Sequence, residues 1–322
     1  MASFRFRKIY LGESSTISSK NEKINTKFSL SDYFDGEKTS ESAQEKMIKK
    51  VLDDINSTNN IDTVIGADLS NQLAITNKVM TNYKLPFLGV YSACSSYTEQ
   101  LICAGTLLGS TSLKNIACII SSHNLSSERT FRYPIEYGSP RRITQTFTST
   151  GAVASIVTKI PTNIKLEACT IGKVVDYGIK DVNNMGAIMA PGAADTLICH
   201  LNDFKRDVNY YDVILTGDLG LLGTELFMEI LKKHDITLKN HIDSGSILIT
   251  DKSLTDQGAS GPICLPLVLI EKILKEKKYK KILLIGTGAL HNTTIVNQKM
   301  SIPCISHAVS LEVISWVYLH HF

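Results

Sequence analysis

The sequence predicts an α/β fold built from two similar halves, and three observations carry that prediction. Strand-like and helix-like runs alternate along the first half of the chain. The second half repeats short strings of the first in the same order. In addition, an apolar extended run, Pro86-Phe87-Leu88-Gly89-Val90-Tyr91-Ser92-Ala93-Cys94-Ser95-Ser96, gives way at Cys94 to a helical pattern. Alternation of this kind argues for buried, mainly parallel strands covered by helices.

The opening MASFRFRKIYLG has no apolar signal core and reads as a first strand. Residues 14–26 are polar and turn-rich and are expected to form a surface loop. Residues 40–55 read as a helix that Ser40-Glu41-Ser42-Ala43-Gln44 can cap. Strands are expected at 63–66, 87–91, 116–120 and 153–157. A second helix is expected at 95–108, with apolar positions at Tyr97, Leu101, Ile102, Gly105 and Leu108.

The repeat rests on four matches. Asp62-Thr63-Val64-Ile65-Gly66-Ala67-Asp68-Leu69 resembles Asp212-Val213-Ile214-Leu215-Thr216-Gly217-Asp218-Leu219. The helix opened by Cys94 resembles the one through 265–274 opened by Gly258-Ala259-Ser260-Gly261, which puts Cys94 and Ser260 at equivalent helix starts. Lys114-Asn115-Ile116-Ala117 resembles Lys280-Lys281-Ile282-Leu283, and Gly151-Ala152-Val153 resembles His307-Ala308-Val309. Any two βα units share such strings, so the common order carries the argument. It divides the chain near Lys165, into residues 1–165 and 166–322.

At 322 residues with 43% hydrophobic content the chain can build a large core, and a net charge of +3, dispersed, argues against nucleic acid. The densest basic run, residues 271–281, suits a helix C-terminus or weak attraction to an anionic membrane surface. Seven cysteines without CxxC spacing and without a signal peptide point to a reducing, cytosolic compartment. Six of them (Cys103, Cys118, Cys169, Cys199, Cys264 and Cys304) sit in apolar runs as small core residues. No apolar stretch is long enough to span a bilayer. His291, His320 and His321 lack the spacing of a metal site, and neither metal nor cofactor is expected.

Cys94 is the residue that most constrains function. Amides and dipole at a helix start favour a thiolate, and equally an anion placed beside the thiol. The position therefore suits a nucleophile or a carboxylate-binding pocket.

A duplicated α/β unit with such a cysteine resembles the thiolase and ketoacyl-synthase superfamily, and Gly258-Ala259-Ser260-Gly261 resembles the thiolase loop His-Pro-x-Gly-Ala-Ser-Gly. The histidine position of that loop is Thr255 here, followed by Asp256. The loop Ile285-Gly286-Thr287-Gly288-Ala289-Leu290 lacks the second cysteine of thiolases, and Thr216-Gly217-Asp218-Leu219 replaces an expected Asn or His. The nucleophile position is kept and its bases are not, which argues against acyl transfer.

A narrower resemblance, to the stage V sporulation protein AD family, covers nearly the whole chain. It is carried by Gly89-Val90-Tyr91-Ser92-Ala93-Cys94-Ser95, by Ser121-Ser122-His123-Asn124 through Glu128-Arg129 to Gly138, and by Gly172 through Ala187. Further segments are Met189-Ala190-Pro191-Gly192-Ala193-Ala194-Asp195-Thr196, Thr216-Gly217-Asp218-Leu219-Gly220, Gly286-Thr287-Gly288-Ala289-Leu290 and Ile302-Pro303-Cys304-Ile305-Ser306-His307-Ala308-Val309. The first 35 residues and the tail after Val313 fit less well. The resemblance implies a thiolase-like fold, with duplicated βαβαβαββ halves in a five-layer αβαβα sandwich, and a homodimer through the first halves. It also implies binding, without turnover, of dipicolinic acid (pyridine-2,6-dicarboxylate), alone or as its calcium chelate, for uptake into the developing spore. The expected setting is cytoplasmic, at the inner membrane of the forespore or spore beside membrane proteins of the spore channel complex.

The ligand-binding residues expected on this basis are Cys94, Ser95, Ser122, His123, Arg129, Asp218, Ser260, Thr287 and His307. Several have a structural alternative. His123 could hydrogen-bond a loop. Glu128, Arg129, Arg132 and Glu136 could form an ion-pair cluster, or an arginine could fork a ligand carboxylate. Asp181-Val182-Asn183-Asn184-Met185-Gly186 is turn chemistry or a cap over the pocket mouth. Asp218 is a helix N-cap or a pocket acceptor. His307 belongs to pocket or core. Two other functions remain open: a Cys94-dependent acyltransferase or thioesterase with His123 or His307 as base, and a scaffold with a vestigial site.

Overall fold

The computed structural model describes residues 2–131 and 141–314. In chain order its elements are β1 (Ala2–Ser18), β2 (Phe28–Ser29), α1 (Ser40–Asn56), β3 (Thr63–Ala67), α2 (Ala74–Met80), β4 (Phe87–Gly89), α3 (Ser96–Ser110), β5 (Asn115–Ser122), α4 (Asn124–Phe131), β6 (Phe147–Thr148), β7 (Gly151–Thr158) and β8 (Ile164–Ile171). They continue with α5 (Met185–Phe204), β9 (Val213–Thr216), α6 (Gly220–Lys232), β10 (His241–Asp243), α7 (Ser244–Leu248), β11 (Ala259–Ser260), α8 (Cys264–Val268), β12 (Lys281–Ala289), α9 (Thr293–Asn297) and β13 (Cys304–Val313).

The strands run β10-β9-β12-β13-β8-β1-β7-β5-β3-β4, with β2 added to β1. Read outward from the central antiparallel pair β8–β1, each side has the same plan. Two antiparallel contacts come first (β1–β7–β5 and β8–β13–β12), then two parallel ones (β5–β3–β4 and β12–β9–β10). Lys165, the expected meeting point of the halves, is the second residue of β8.

Three apolar layers hold the sheet. α1 and α2 pack Met47, Val51, Ile55 and Val79 against Val64, Ala117, Ile119 and Ala154. α3 and α8 fill the middle, where Tyr97, Leu101, Leu265 and Val268 meet Ile65, Cys118, Val213, Leu215 and Leu284. α5 and α6 cover the far side, with Leu197, Phe227 and Leu231 against Ile214, Leu283 and Ile285. Helices and sheet thus alternate in five layers, as expected. Neighbours in one strand, such as Val64 and Ile65 or Ile214 and Leu215, bury into different layers. Burial on both faces is why these strands read as unbroken apolar runs. No helix among the described residues is long and apolar enough to cross a membrane, and none of their His, Cys, Asp and Glu residues group in threes able to hold a metal.

Three expectations need correction. Residues 14–18 are not loop: Ser14, Ser15, Thr16, Ile17 and Ser18 pair with β7, and Ser14 donates to the Ser155 hydroxyl at 3.1 Å. Small hydroxyl side chains satisfy one another inside the sheet, so their polarity misleads. The cap of α1 is Thr39, whose hydroxyl accepts from Ser42 N at 3.1 Å, one residue before the expected cap. Ser260 does not open a helix. It lies in β11, paired with Thr148 of β6, and the helix begins at Cys264. Gly258 and Gly261, at φ +109° and +116°, hold this segment extended.

Candidate functional site

Cys94 sits in a single 3₁₀ turn, Ala93–Ser95, that feeds α3. Ala93 has φ 51°, a left-handed conformation that costs a non-glycine residue about 1 kcal/mol or more. The turn is held from both sides. Ser95 N donates to Ser92 O at 3.0 Å, and Ser96 Oγ donates to Ala93 O at 2.7 Å. β12 presses on it through two glycines. A Cβ at Gly286 would lie 2.2 Å from Thr98 Oγ1, and one at Gly288 would lie 2.4 Å from Ser92 O.

Cys94, Asp218, Ser260, Gly261 and His291 line one cavity, which Met185 and Met189 of α5 also border. Its volume is about 20 Å³, room for a single water. Asp218 is fully buried and organises this cavity. Its Oδ1 accepts from Thr287 Oγ1 at 2.6 Å and its Oδ2 accepts from Gly261 N at 2.7 Å, and Cys94 lines the cavity beside this carboxylate. No lysine or arginine lines the cavity. Burial therefore pushes the Asp218 carboxyl up to about 7, against its donors and with help from Asp243. Burial also raises the Cys94 thiol, and the Asp218 charge raises it further, with Cys264 adding to it. A thiol beside a carboxylate stays protonated and is a poor nucleophile.

Asp243 supports the site from behind. Its Oδ1 accepts from Leu219 N at 2.9 Å, and its Oδ2 from Gly220 N at 3.0 Å and Ser246 N at 2.9 Å. It thereby ties the starts of α6 and α7 together and leaves Asp218 free to face the cavity. Of the two expected roles for Asp218, the helix N-cap is not realised, since Leu219 holds that position with no side-chain cap bond.

The other expected site residues divide. Thr287 stands behind Asp218, and Ser95 lies under Gly286 and Gly288. Ser122 borders Gly261 but donates to Ser149 O at 2.8 Å. His123 does not line the cavity. Its Nδ1 accepts from Leu125 N at 3.2 Å, so its Nε2–H donates to Tyr33 O at 2.9 Å, and its ring stacks on Phe34. Burial lowers its pKa, which fits a neutral ring with a structural role. His307 is also excluded from the cavity lining, because its Nδ1 accepts from Gly172 N at 3.2 Å; burial pushes it down to about 4. Arg129 is exposed on α4 and does not border the cavity, while Glu128 accepts from Thr148 Oγ1 at 2.8 Å. Arg132 and Glu136, and the rest of 132–138, lie outside the described residues, as do His320 and His321. Asn184 caps α5 through Ala187 N at 3.3 Å, which is the turn reading, while the next residue, Met185, borders the cavity.

Sequence reasoning missed Asp243, His291 and the two methionines. Asp243-Ser244-Gly245-Ser246 is a readable helix cap, whereas the lone His291 has no local signal that brings it to Cys94. A separate cleft of about 660 Å³ shares no residue with this cavity. Its buried Arg206 is engaged by Glu167 at 2.8 and 2.9 Å and lies over Tyr210 at 4.0 Å. That cleft is a salt-bridged seam between β8, the end of α5 and β1.

Comparison with known proteins places these features. The family model for stage V sporulation protein AD matches residues 13–312. The stage V sporulation protein AD of Bacillus subtilis (strain 168) is 39% identical over 256 residues, covering 78% of this chain and 76% of that protein. Among solved structures, cerulenin-bound OleA of Xanthomonas campestris superposes with a TM-score of 0.61 at 13% identity, over 95% of this chain and 98% of that one. The 3-oxoacyl-[acyl-carrier-protein] synthase III of Aquifex aeolicus VF5 gives 0.57 at 13% identity, over 94% and 99%. At such identity these enzymes show a shared thiolase-like fold.

Proposed function

The chain belongs to the stage V sporulation protein AD family, and from that premise we propose that it binds dipicolinic acid, alone or as its calcium chelate, without chemical turnover. One observation supports the absence of turnover above the rest: Cys94 shares its cavity with the buried Asp218 carboxylate, and neither His123 nor His307, the two expected bases, lines that cavity. Acyl transfer needs a thiolate and a base that takes and returns its proton. The same carboxylate makes the cavity floor a poor place for a dianion, and 20 Å³ is far too little for a pyridine ring. The ligand therefore sits at the mouth of the cavity. Homodimerisation belongs to the same proposal, supported by β4, a short sheet edge on which Leu88 is 48% exposed. So does contact with membrane proteins of the spore channel, which the family relationship supports.

Calorimetric titration with dipicolinate, with and without calcium, tests the reading. One site per chain is expected, and no heat under either condition would refute it. A second reading, acyl transfer from Cys94, is favoured by the left-handed turn at Ala93 that presents this cysteine at a helix start. A Cys94-dependent burst of free CoA from an acyl-CoA, followed by turnover, would establish that reading instead.

A further inference from the structure

A cleft of about 590 Å³ opens beside the Cys94 cavity and shares His291 with it. That size suits a small ligand, which the cavity beneath does not. One wall is the loop after β3, from Ser70 to Leu73, and the other is the chain leaving β12, from Leu290 to Thr294. Tyr91 completes the lining. No lysine, arginine or carboxylate lines the cleft among the described residues.

The wall is rich in unengaged neutral donors. The side-chain amides of Asn71 and Gln72 and the hydroxyls of Tyr91, Thr293 and Thr294 make no hydrogen bond among the described residues. Asn292 uses only its carbonyl oxygen, which accepts from Ile295 N at 3.0 Å. The loop that presents Asn71 and Gln72 is held in a strained shape. Gln72 and Leu73 are both left-handed, at φ 57° and 55°. Buried Asp68 fixes that shape by accepting from Ser70 N at 2.6 Å, Thr76 N at 2.8 Å and the Ser70 and Thr76 hydroxyls. Leu73 is turned inward onto β4, where a Cβ at Gly89 would come within 2.7 Å of its Cδ1. Asn71 and Gln72 are left exposed on the cleft side.

We propose that this cleft, rather than the cavity floor, is the ligand-holding site, taking a small aromatic acid whose carboxylate oxygens accept from neutral N–H and O–H groups. The inference rests on the binding reading above and adds the location and the mode of recognition. Because the wall offers hydrogen bonds and no countercharge, affinity should depend little on ionic strength.

The test is calorimetric titration with dipicolinate of the parent and two double variants, Asn71→Ala with Gln72→Ala and Thr293→Val with Thr294→Val. All four side chains are exposed, so the variants should melt like the parent. Each double variant is expected to bind on the order of tenfold more weakly or worse, since hydrogen bonds to a charged acceptor are strong. A parent that binds, with both variants binding equally well, would overturn the cleft and leave the binding reading intact. Steep loss of parent affinity with added salt would overturn the uncharged mode of recognition. A parent that binds no dipicolinate would remove both proposals together.

Discussion

Replacing Asp218 by asparagine should change stability by an amount that depends on pH. The Asp218 carboxyl is raised from 3.8 to about 7 in the folded protein. Between those values the folded state holds more protons than the unfolded state, so this group makes stability fall as pH rises and level off above about 7. At about 1.4 kcal/mol per pH unit, roughly 2.5 kcal/mol is lost between pH 5 and pH 8. Asparagine does not titrate and escapes that loss. Its own cost is independent of pH: the amide oxygen turns to Gly261 N–H, and the Thr287 hydroxyl must rotate to accept from the amide nitrogen. The buried histidines His200 and His307, both pushed down to about 4, destabilise the protein as pH falls below 6.5, but equally in both proteins. The quantity to read is therefore the difference between Asp218→Asn and parent at pH 5 and at pH 8, by urea or thermal unfolding. It should shift by about 2.5 kcal/mol in favour of the variant at pH 8, about 4 °C in Tm for a chain of this length. A difference that is the same at both pH values would refute the claim that Asp218 is ionised against its burial.

Three further outcomes follow from the geometry. Cys94, whose thiol the Asp218 charge helps keep protonated, should alkylate with iodoacetamide at pH 8 no faster than the similarly accessible Cys199, and should react faster in Asp218→Asn, as read by peptide mass spectrometry. Gly288→Ala should cost about 1–3 kcal/mol, because its Cβ meets Ser92 O at 2.4 Å, whereas Gly109→Ala, at an exposed position near the end of α3 with nothing within 4 Å, should stabilise by up to about 1 kcal/mol. Equal melting temperatures for the two would contradict the close approach of β12 to the Cys94 turn. Arg206→Met should cost about 2–3 kcal/mol by removing the buried bidentate partner of Glu167, which keeps Arg5 and Ser310, while Arg5→Met, whose side chain is 55% exposed, should cost less than about 1 kcal/mol in urea unfolding.

The sequence was most legible where burial is symmetrical. β3, β5, β9 and β12 are buried on both faces, so they read as apolar runs and their repeat in order predicts the mirrored sheet. It was least legible where polar groups satisfy one another across long separations. Ser14 to Ser18 look like a loop until β7 provides Ser155 and its backbone. At the site, Cys94 was legible because a strand-to-helix turn is a local pattern, and Asp218 was legible as one of two alternatives. His123 and His307 were not, because the atoms that occupy them, Tyr33 O and Gly172 N, come from segments 90 and 135 residues away. The ten-residue cleft was invisible for the same reason, since only the folded sheet brings 70–73 to 290–294.

The path of β1 bears on how the molecule can be made. This strand pairs with β7 through residues 10 to 18, and with β8 through residues 2 to 10, matching Ala2 to Ile171. During vectorial synthesis residues 2 to 10 must therefore wait for residue 171 before their outer edge is covered. A nascent first half can complete its own layer of helices over β3, β5 and β7, yet it carries an unpaired strand that would template pairing with a neighbouring nascent chain. Splitting the gene between β7 and β8 should thus give a first fragment that accumulates in inclusion bodies when made alone and stays dispersed when the second is made with it.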